Sequence, residues 1–307
     1  MSAAAGAPVR LRVEHVTQYE YPTPLVKSRH VAFLCPRETP RQRLLAHHLA
    51  VAPEPTYRAR RGDYFGNVAD FIAVIAPQDR FEVVATSEVA IAPRPPLPGA
   101  GATAPWEKLR DALAYRSGAR YGEEAEYVFA SPHVPLSPSL AAYGRHAIRP
   151  GRALLAGLTD LMHAIRADFR YVQDSTDLTT PVTRLLEERK GVCQDFAHLM
   201  IACLRSLGLP ARYVSGYLLT APPPGEPRLV GADASHAWVQ AWVPEAGWID
   251  FDPTNGVLPE GQHVTLAWGR DYGDVSPLRG VIVGGTGHAL RVAVTVTPLQ
   301  ESVIRES

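Results

Sequence analysis

Cys193 has the sequence surroundings of a reactive thiol. Gly191 and Val192 interrupt the preceding helical pattern, and the run that starts at Cys193 is apolar on nearly every side. This pattern predicts a buried helix whose first turn contains the cysteine. At such a position, free amide protons and the positive end of the helix dipole stabilise a thiolate, which is the nucleophilic form of cysteine.

His236 and Asp252 are the residue types that activate a nucleophilic thiol. His236 begins the strand-like run HAWVQAWV, and Asp252 lies near the end of the next run, GWIDFDP, after a turn. Antiparallel neighbours of this kind would place imidazole and carboxylate side by side. The histidine would accept the thiol proton and later give it to a leaving group, while the aspartate orients the ring. The sequence therefore predicts a catalytic triad of Cys193, His236 and Asp252.

The same residues also have simpler interpretations. A lone cysteine in an apolar helix is usually a small core residue, and we interpret Cys203 and Cys35 in that way. By residue type, Cys193, His236 and Asp252 are all possible zinc ligands. The triad already accounts for their placement, so we predict no metal and no other cofactor.

The elements that must position these residues fall into two regions. Across residues 11–92, short runs alternate apolar and polar positions between Pro, Gly and Asn breaks, as in an all-β domain. Residues 93–105 lack a periodic pattern and are rich in Pro and Gly, which is typical of a linker. Helical spacing and then strand-like runs follow. We predict a β-rich domain at residues 1–92, this linker, and a catalytic domain with C-terminal strands at residues 106–307.

Two questions of organisation stay open at this level. The last two strand-like runs, LRGVIVGG and HALRVAVTVTP, can complete the catalytic sheet or pair back with the N-terminal domain. The N-terminal domain itself can bind a substrate or partner, or cover an exposed face of the core.

Composition excludes several classes of function. The 307 residues are 46% hydrophobic and 20% charged, enough for a buried core and two domains. Thirty-one basic residues balance thirty-one acidic ones, so the general attraction for nucleic acid is missing. No apolar run approaches the roughly 18 residues of a membrane helix, and no signal-peptide pattern is present. Three cysteines without C-x-x-C spacing suggest no disulfide framework. We expect a cytoplasmic protein without nucleic-acid or membrane partners.

Several motifs carry a resemblance to a known family. GVCQDFAHLMIACLRSLGLPARYVSGYL, SHAWVQAWVPEAGWIDFDPTN and GRDYGDVSPLRG resemble the core of bacterial transglutaminase-like proteins. YEYPTPL, CPRETPRQ and DYFGN are similar to the β-rich N-terminal region that accompanies this core. The resemblance implies an α+β fold with a papain/transglutaminase-like core, a buried nucleophile helix packed on an antiparallel sheet, after an all-β domain. It also implies Cys193 as nucleophile, His236 as base and Asp252 as its orienting acid.

Four further residues are candidates to support the site. Asp195 lies in the first helical turn, where a carboxylate complements the helix dipole and binds free amides, and this structural role is the preferred one. Gln194 can point into the cleft or outward. The backbone amide of Cys193 is a natural oxyanion-hole donor. Tyr171 and Gln173, upstream of the nucleophile, are candidates for the second donor.

The predicted function is cysteine-dependent hydrolysis of an amide bond through a thioester, as in a peptidase or amidase. Its substrates would be peptides, proteins or small amides. With an amine as acceptor, the same triad gives a transglutaminase-type acyltransferase. An inactive binding or scaffold protein of the same fold is the third hypothesis. The shape of the cleft decides between water and amine, and it is expected to depend on the loop at residues 221–235 and on where the N-terminal domain docks.

Overall fold

The computed structural model describes residues 6–173, 180–220 and 234–299. The N-terminal part is built from β1 Val9–Ala32, β2 Gln42–Ala52, β3 Tyr57–Gly62, β4 Val68–Val74 and β5 Gln78–Ile91. Along β5, buried and partly exposed residues alternate, which is the period-two pattern of a strand with one face on a core. The predicted all-β character of this region is confirmed.

β1 joins two segments that the sequence pattern separates. We expected the prolines of residues 22–24 to divide two strands, whereas β1 continues through them for 24 residues. β5 pairs with residues 9–20 of β1, and β4 pairs with residues 28–32. The prolines lie where the pairing with β5 shifts register, so their missing N–H groups interrupt no regular ladder.

The second part combines helices with an antiparallel sheet. The helices are α1 Trp106–Leu113, α2 Pro138–Ala147, α3 Leu154–Asp168, α4 Val182–Glu188, α5 Cys193–Ser206 and α6 Tyr272–Val275. The strands are β6 Arg170–Tyr171, β7 Lys190–Gly191, β8 Ala211–Leu218, β9 Ala234–Val243, β10 Gly247–Phe251 and β11 His263–Gly269. β6 and β7 form a small parallel pair, and the main sheet has the antiparallel order β10-β9-β8-β11. The predicted α+β core is confirmed. β3, α6, β11 and the 3₁₀ segment Glu123–Val128 were not predicted.

α5 is the central helix of this part. It packs between α2 on one side and β8 and β9 on the other, and its side chains from Asp195 to Arg205 are buried. Arg205 donates hydrogen bonds to the carbonyl oxygens of Phe129, Ala211 and Arg270. Burial of a guanidinium is tolerated only with such partners, so Arg205 ties the end of α5 to three other segments.

The chain ends in the sheet of the first domain. β12 Leu278–Gly284 and β13 Ala289–Pro298 both pair antiparallel with β1. The prediction that placed these strands within the catalytic domain is therefore corrected. The physical reason is that β1 is long enough to pair with both of them along one edge, and an unpaired edge of that length would be unfavourable.

The N-terminal sheet covers the edge of the catalytic sheet. β11 is the last strand in its sheet, and two side-chain amides continue its ladder. Asn67 donates to the carbonyl oxygen of Trp268 at 2.8 Å and accepts from its N–H at 3.0 Å. Gln42 does the same with Thr265, at 2.7 and 2.8 Å. The two domains therefore meet through a specific contact. In the described part of the chain, no helix is long and apolar enough to span a bilayer.

Candidate active site

The start of α5 holds Cys193 in a constrained position. Just before it, β6 and β7 pair with Tyr171 opposite Gly191. The Asp195 carboxylate accepts a hydrogen bond from the Val192 N–H at 2.8 Å. A Cβ atom on Gly191 would lie only 2.9 Å from that carboxylate, so this approach requires glycine. The helix begins at Cys193 as predicted, and the residue is partly exposed.

β9 and β10 bring His236 and Asp252 together. β10 pairs antiparallel with β9 and ends one residue before Asp252. His236 Nε2 donates to Asp252 Oδ2 at 2.8 Å. The ring also hydrogen-bonds to the Cys193 thiol. Because Nε2 is bound to Asp252, the nitrogen available to the thiol is Nδ1. The structure thus joins the three residues predicted from sequence in one hydrogen-bonded chain.

The charges of this chain are set by its hydrogen bonds. Burial by itself lowers the pKa of His236, but the hydrogen bonds to Asp252 and Cys193 outweigh burial and raise this pKa to about 10. Burial would raise the pKa of Asp252, yet the hydrogen bonds from His236 and His263 hold it well below its usual range. At neutral pH the pair is therefore an imidazolium and a carboxylate.

Asp252 has more partners than the triad requires. Its Oδ2 also accepts from His263 Nε2 at 3.1 Å and from Asn255 Nδ2 at 2.7 Å. Its Oδ1 accepts the backbone N–H groups of Thr254 and Asn255, at 2.9 and 3.1 Å. Five donors thus converge on one carboxylate that is 0% exposed, which fixes its orientation.

Sequence reasoning missed His263 and Asn255. Asn255 ends the motif D-P-T-N that begins at Asp252. An amide side chain three residues after the carboxylate, in a turn, could have indicated a hydrogen bond between the two. His263 begins β11, whose run HVTLAWG has the β-branched and aromatic residues of a strand. Its proximity to Asp252 depends on the pairing of β11 with β8, which no local pattern encodes.

His236, Asp252 and His263 also have the composition of a metal site. One ligand-type atom of each lies within 4.8 Å of the other two. The nitrogen–oxygen distances of 2.8 and 3.1 Å are those of hydrogen bonds, which already account for the arrangement.

A cleft of about 340 Å³ opens beside Cys193 and His236. The N-terminal domain contributes one wall with Thr17 and Tyr19 of β1, and the C-terminal strand β13 extends this wall. On the catalytic side, the lining includes the aromatic side chain of Tyr213. The cleft is therefore formed jointly by the two domains. Residues 221–233 of the loop expected to shape it lie outside the described residues.

The four residues predicted to support the site lie in different environments in the structure. Gln194 lines the cleft, whereas Asp195 is buried and hydrogen-bonded to the Val192 N–H, which is the preferred structural role. Tyr171 and Gln173 are exposed, and neither is among the described residues that line the cleft. Their role as second oxyanion-hole donors stays a prediction.

The two other cysteines are not among the described residues that line the cleft. Cys35 and Cys203 are both buried and free. Burial raises the pKa of Cys35 to about 11 and raises that of Cys203 as well. Both therefore remain protonated at neutral pH, in contrast to a reactive thiolate.

Comparison with known proteins agrees with this architecture. The family model of the transglutaminase-like superfamily matches residues 142–253, and that of the bacterial transglutaminase-like N-terminal region matches residues 11–90. An uncharacterized protein of Mycobacterium tuberculosis is 38% identical over 298 residues, 95% of this chain and 93% of that protein. A protein-glutamine gamma-glutamyltransferase of Pseudomonas aeruginosa is 41% identical over 103 residues, 31% of this chain and 15% of that enzyme.

A solved structure shows the same fold. The crystal structure of a proposed cysteine protease from Cytophaga hutchinsonii has a TM-score of 0.74 at 19% identity, and covers 97% of this chain and 93% of its own. A nucleophile-type cysteine at the start of a buried helix, packed on an antiparallel sheet, defines a papain/transglutaminase-like thiol protein. The chain belongs to the transglutaminase-like superfamily and carries the bacterial transglutaminase-like N-terminal region.

Proposed function

We propose that the protein is a cysteine-dependent amide hydrolase that acts through Cys193, His236 and Asp252. The observation that supports this function is the hydrogen-bonded chain from Asp252 through His236 to the thiol, which ends in an open cleft. Cys35 and Cys203 are buried away from this hydrogen-bonded chain, so Cys193 is the one of the three thiols that we propose as the nucleophile.

The first half of the proposed reaction forms a thioester. His236 holds the proton that the thiol gives up, and Cys193 Sγ attacks the carbonyl carbon of the amide. The carbon–nitrogen bond then breaks, and His236 Nδ1–H donates its proton to the leaving amine. Throughout, Asp252 Oδ2 accepts from His236 Nε2–H and keeps the ring in the orientation that directs Nδ1 at the sulfur.

The second half transfers the acyl group to water. His236, now neutral, accepts a proton from a water molecule as its oxygen attacks the thioester carbonyl. The carbon–sulfur bond breaks, the carboxylic acid leaves, and the thiolate and imidazolium are restored. His263 and Asn255 take part only as donors that hold Asp252.

The developing negative charge on the carbonyl oxygen needs hydrogen-bond donors. The first backbone amides of a helix have no partner inside the helix, and the Cys193 amide is the first of α5. It is therefore the proposed oxyanion-hole donor. Gln194, the next residue, lines the same cleft and is the proposed source of a second one.

Acyl transfer to an amine is the second candidate function. The observation in its favour is the partial match to a protein-glutamine gamma-glutamyltransferase, which spans 31% of this chain. The thioester on Cys193 would be the same, and only the acceptor in the second half would differ.

The test is a search for cysteine-dependent products in a peptide library. The protein and its Cys193→Ala variant are incubated with the library, with and without a fluorescent primary amine, and products are identified by mass spectrometry. Hydrolysis products that require Cys193 support the hydrolase, and amine adducts support the transferase. If the folded protein gives neither, the scaffold hypothesis replaces both. Metal analysis of the purified protein tests the zinc alternative, and fractionation of the source cells tests the expected cytoplasmic location.

A further inference from the structure

We propose that the cleft selects amide substrates whose side chain next to the attacked carbonyl is apolar and uncharged. The preference would be set by the N-terminal domain's sheet through Tyr19, Leu290 and Val292. This inference rests on the proposed function, because it names the substrate class of the same site.

The part of the cleft wall that β13 contributes is apolar. Leu290 and Val292 line the cleft and remain 53% and 49% exposed. They alternate along β13 with the same orientation as Val294 and Val296, which are buried in the core shared by both domains. The face of β13 that packs on the catalytic domain thus continues past it and presents two uncovered apolar side chains to the cleft.

The part of the cleft that the structure describes has few charged side chains along its lining. Among the described residues that line it, none is Asp, Glu, Lys or Arg. His15 also lines it, but burial lowers the pKa of His15 to about 4, so this ring is neutral at pH 7. Both of its nitrogens have partners, Thr17 Oγ1 at 2.7 Å and Tyr217 Oη at 2.9 Å. His236 lines the cleft as well, and its charge is balanced by Asp252, to which Nε2 donates at 2.8 Å.

These observations define what the cleft excludes as well as what it accepts. A Lys, Asp or Glu side chain placed against Leu290 and Val292 would lose water without gaining a charged partner, which is unfavourable. A Leu or Phe side chain would cover the exposed apolar surface and gain from its burial. Ser215, Ser235 and Gln194 provide polar groups along the cleft for the substrate backbone.

Peptide-based electrophiles test the preference directly. Acetyl-dipeptidyl fluoromethyl ketones with Leu, Asp or Lys next to the ketone are reacted with the protein, and labelling of Cys193 is followed by mass spectrometry. Each rate is divided by that of the same probe with glutathione. Iodoacetamide, which carries no side chain, reports the reactivity of the thiol alone. The variants are Leu290→Asp and, as a matched control, Val281→Asp, since Val281 is 72% exposed on β12 and is not among the cleft residues.

We expect the Leu probe to label the unmodified protein at least about tenfold faster than the Asp and Lys probes, a discrimination typical of an apolar pocket. Relative to the iodoacetamide rate of the same variant, which reports any effect of the new charge on the thiol, Leu290→Asp should lower the Leu rate by about tenfold and favour the Lys probe. Val281→Asp should change none of these rates.

Three results would overturn the inference in different ways. Equal rates for the three probes, with rapid iodoacetamide labelling, would leave the proposed function standing and remove the substrate preference. Equal effects of Leu290→Asp and Val281→Asp would show that β13 does not form the recognition wall. Slow iodoacetamide labelling, no faster than at Cys35, would contradict the proposed function, and the substrate class would be withdrawn with it.

Discussion

The replacement Asp252→Asn isolates the role of one buried carboxylate. Asparagine has nearly the same size and shape as aspartate, but it lacks the negative charge and has only one oxygen. In the structure, Asp252 Oδ1 accepts two backbone N–H groups, and Oδ2 accepts from His236, His263 and Asn255. The variant therefore removes acceptor atoms without creating a cavity.

The structure sets the size of the expected effect. Whichever way the amide turns, its NH₂ group faces either the two backbone donors or the three side-chain donors. At least two buried N–H groups lose their acceptor, and each such loss costs about 1–3 kcal/mol. The free energy of unfolding should therefore fall by about 2–6 kcal/mol. In a chain of this length about 1 kcal/mol corresponds to about 2 °C, so Tm should fall by about 4–12 °C.

Asp250→Asn is the matched control for the thermal measurement. Asp250 lies two residues earlier, in β10, and its Oδ1 alone accepts from Trp238 Nε1 at 2.8 Å and from Gln240 Nε2 at 2.9 Å. An asparagine there can keep both hydrogen bonds on its single oxygen. Differential scanning calorimetry at pH 7 should show a lower Tm for Asp252→Asn, and a Tm for Asp250→Asn close to that of the unmodified protein.

Thiol reactivity provides the second measurement on the same variants. Without the carboxylate, the imidazolium of His236 loses its stabilising partner, so iodoacetamide should alkylate Cys193 more slowly in Asp252→Asn. The rate in Asp250→Asn should be unchanged. If both variants had the same Tm and the same rate, the convergence of donors on Asp252 would carry neither stability nor reactivity, and the argument from its hydrogen bonds would be wrong.

Three further predictions concern the histidines. His236→Ala should slow iodoacetamide alkylation of Cys193 at pH 7 by about 10²-fold, because the proton acceptor is lost, and an unchanged rate measured by peptide mapping would refute the pair. His263→Leu removes one donor to Asp252 and should slow the same alkylation by less than His236→Ala does. Both rates are compared across roughly pH 5–9 in unit steps. An equal loss of rate in the two variants would show that His263 does more than hold Asp252. Burial lowers the pKa of His198 from 6.5 to about 3. As the pH falls from 6.5 to about 3, the unfolded chain therefore takes up a proton on His198 before the folded protein does, and the free energy of unfolding should decrease. His198→Gln should make urea midpoints less dependent on pH, and an identical dependence would show that other groups govern acid stability.

The chemistry of the site is visible in the sequence because it depends on local patterns. A helix start is marked by Gly191 and Val192 before an apolar run, so the place of Cys193 follows from its neighbours in the chain. His236 lies on β9 and Asp252 directly follows β10. A short turn joins these two strands, and strands joined in this way pair with each other in most folds. Contacts between segments that are close in sequence are therefore predictable.

The position of the C-terminal strands is not visible in the same way. β12 and β13 have strand patterns, but a strand pattern does not name its partner. Their pairing with β1 joins residues that are more than 240 positions apart, and it depends on β1 continuing through the prolines of residues 22–24. A proline predicts a break only where its N–H would have been used in the ladder.

His263 shows the same limit within the site. Its sequence indicates only a polar residue at the start of a strand, and its contact with Asp252 arises because β11 pairs with β8 while β9 pairs with β8 on the other side. The apolar wall of Leu290 and Val292 is decided in the same manner. Periodicity specifies which face of a strand is apolar, whereas tertiary packing decides what that face meets, because the hydrophobic effect rewards burial without specifying a partner. The sequence by itself predicts Cys193 as the nucleophile and His236 as its base, and only the tertiary structure decided what holds Asp252 in place and which domain forms the second wall of the cleft.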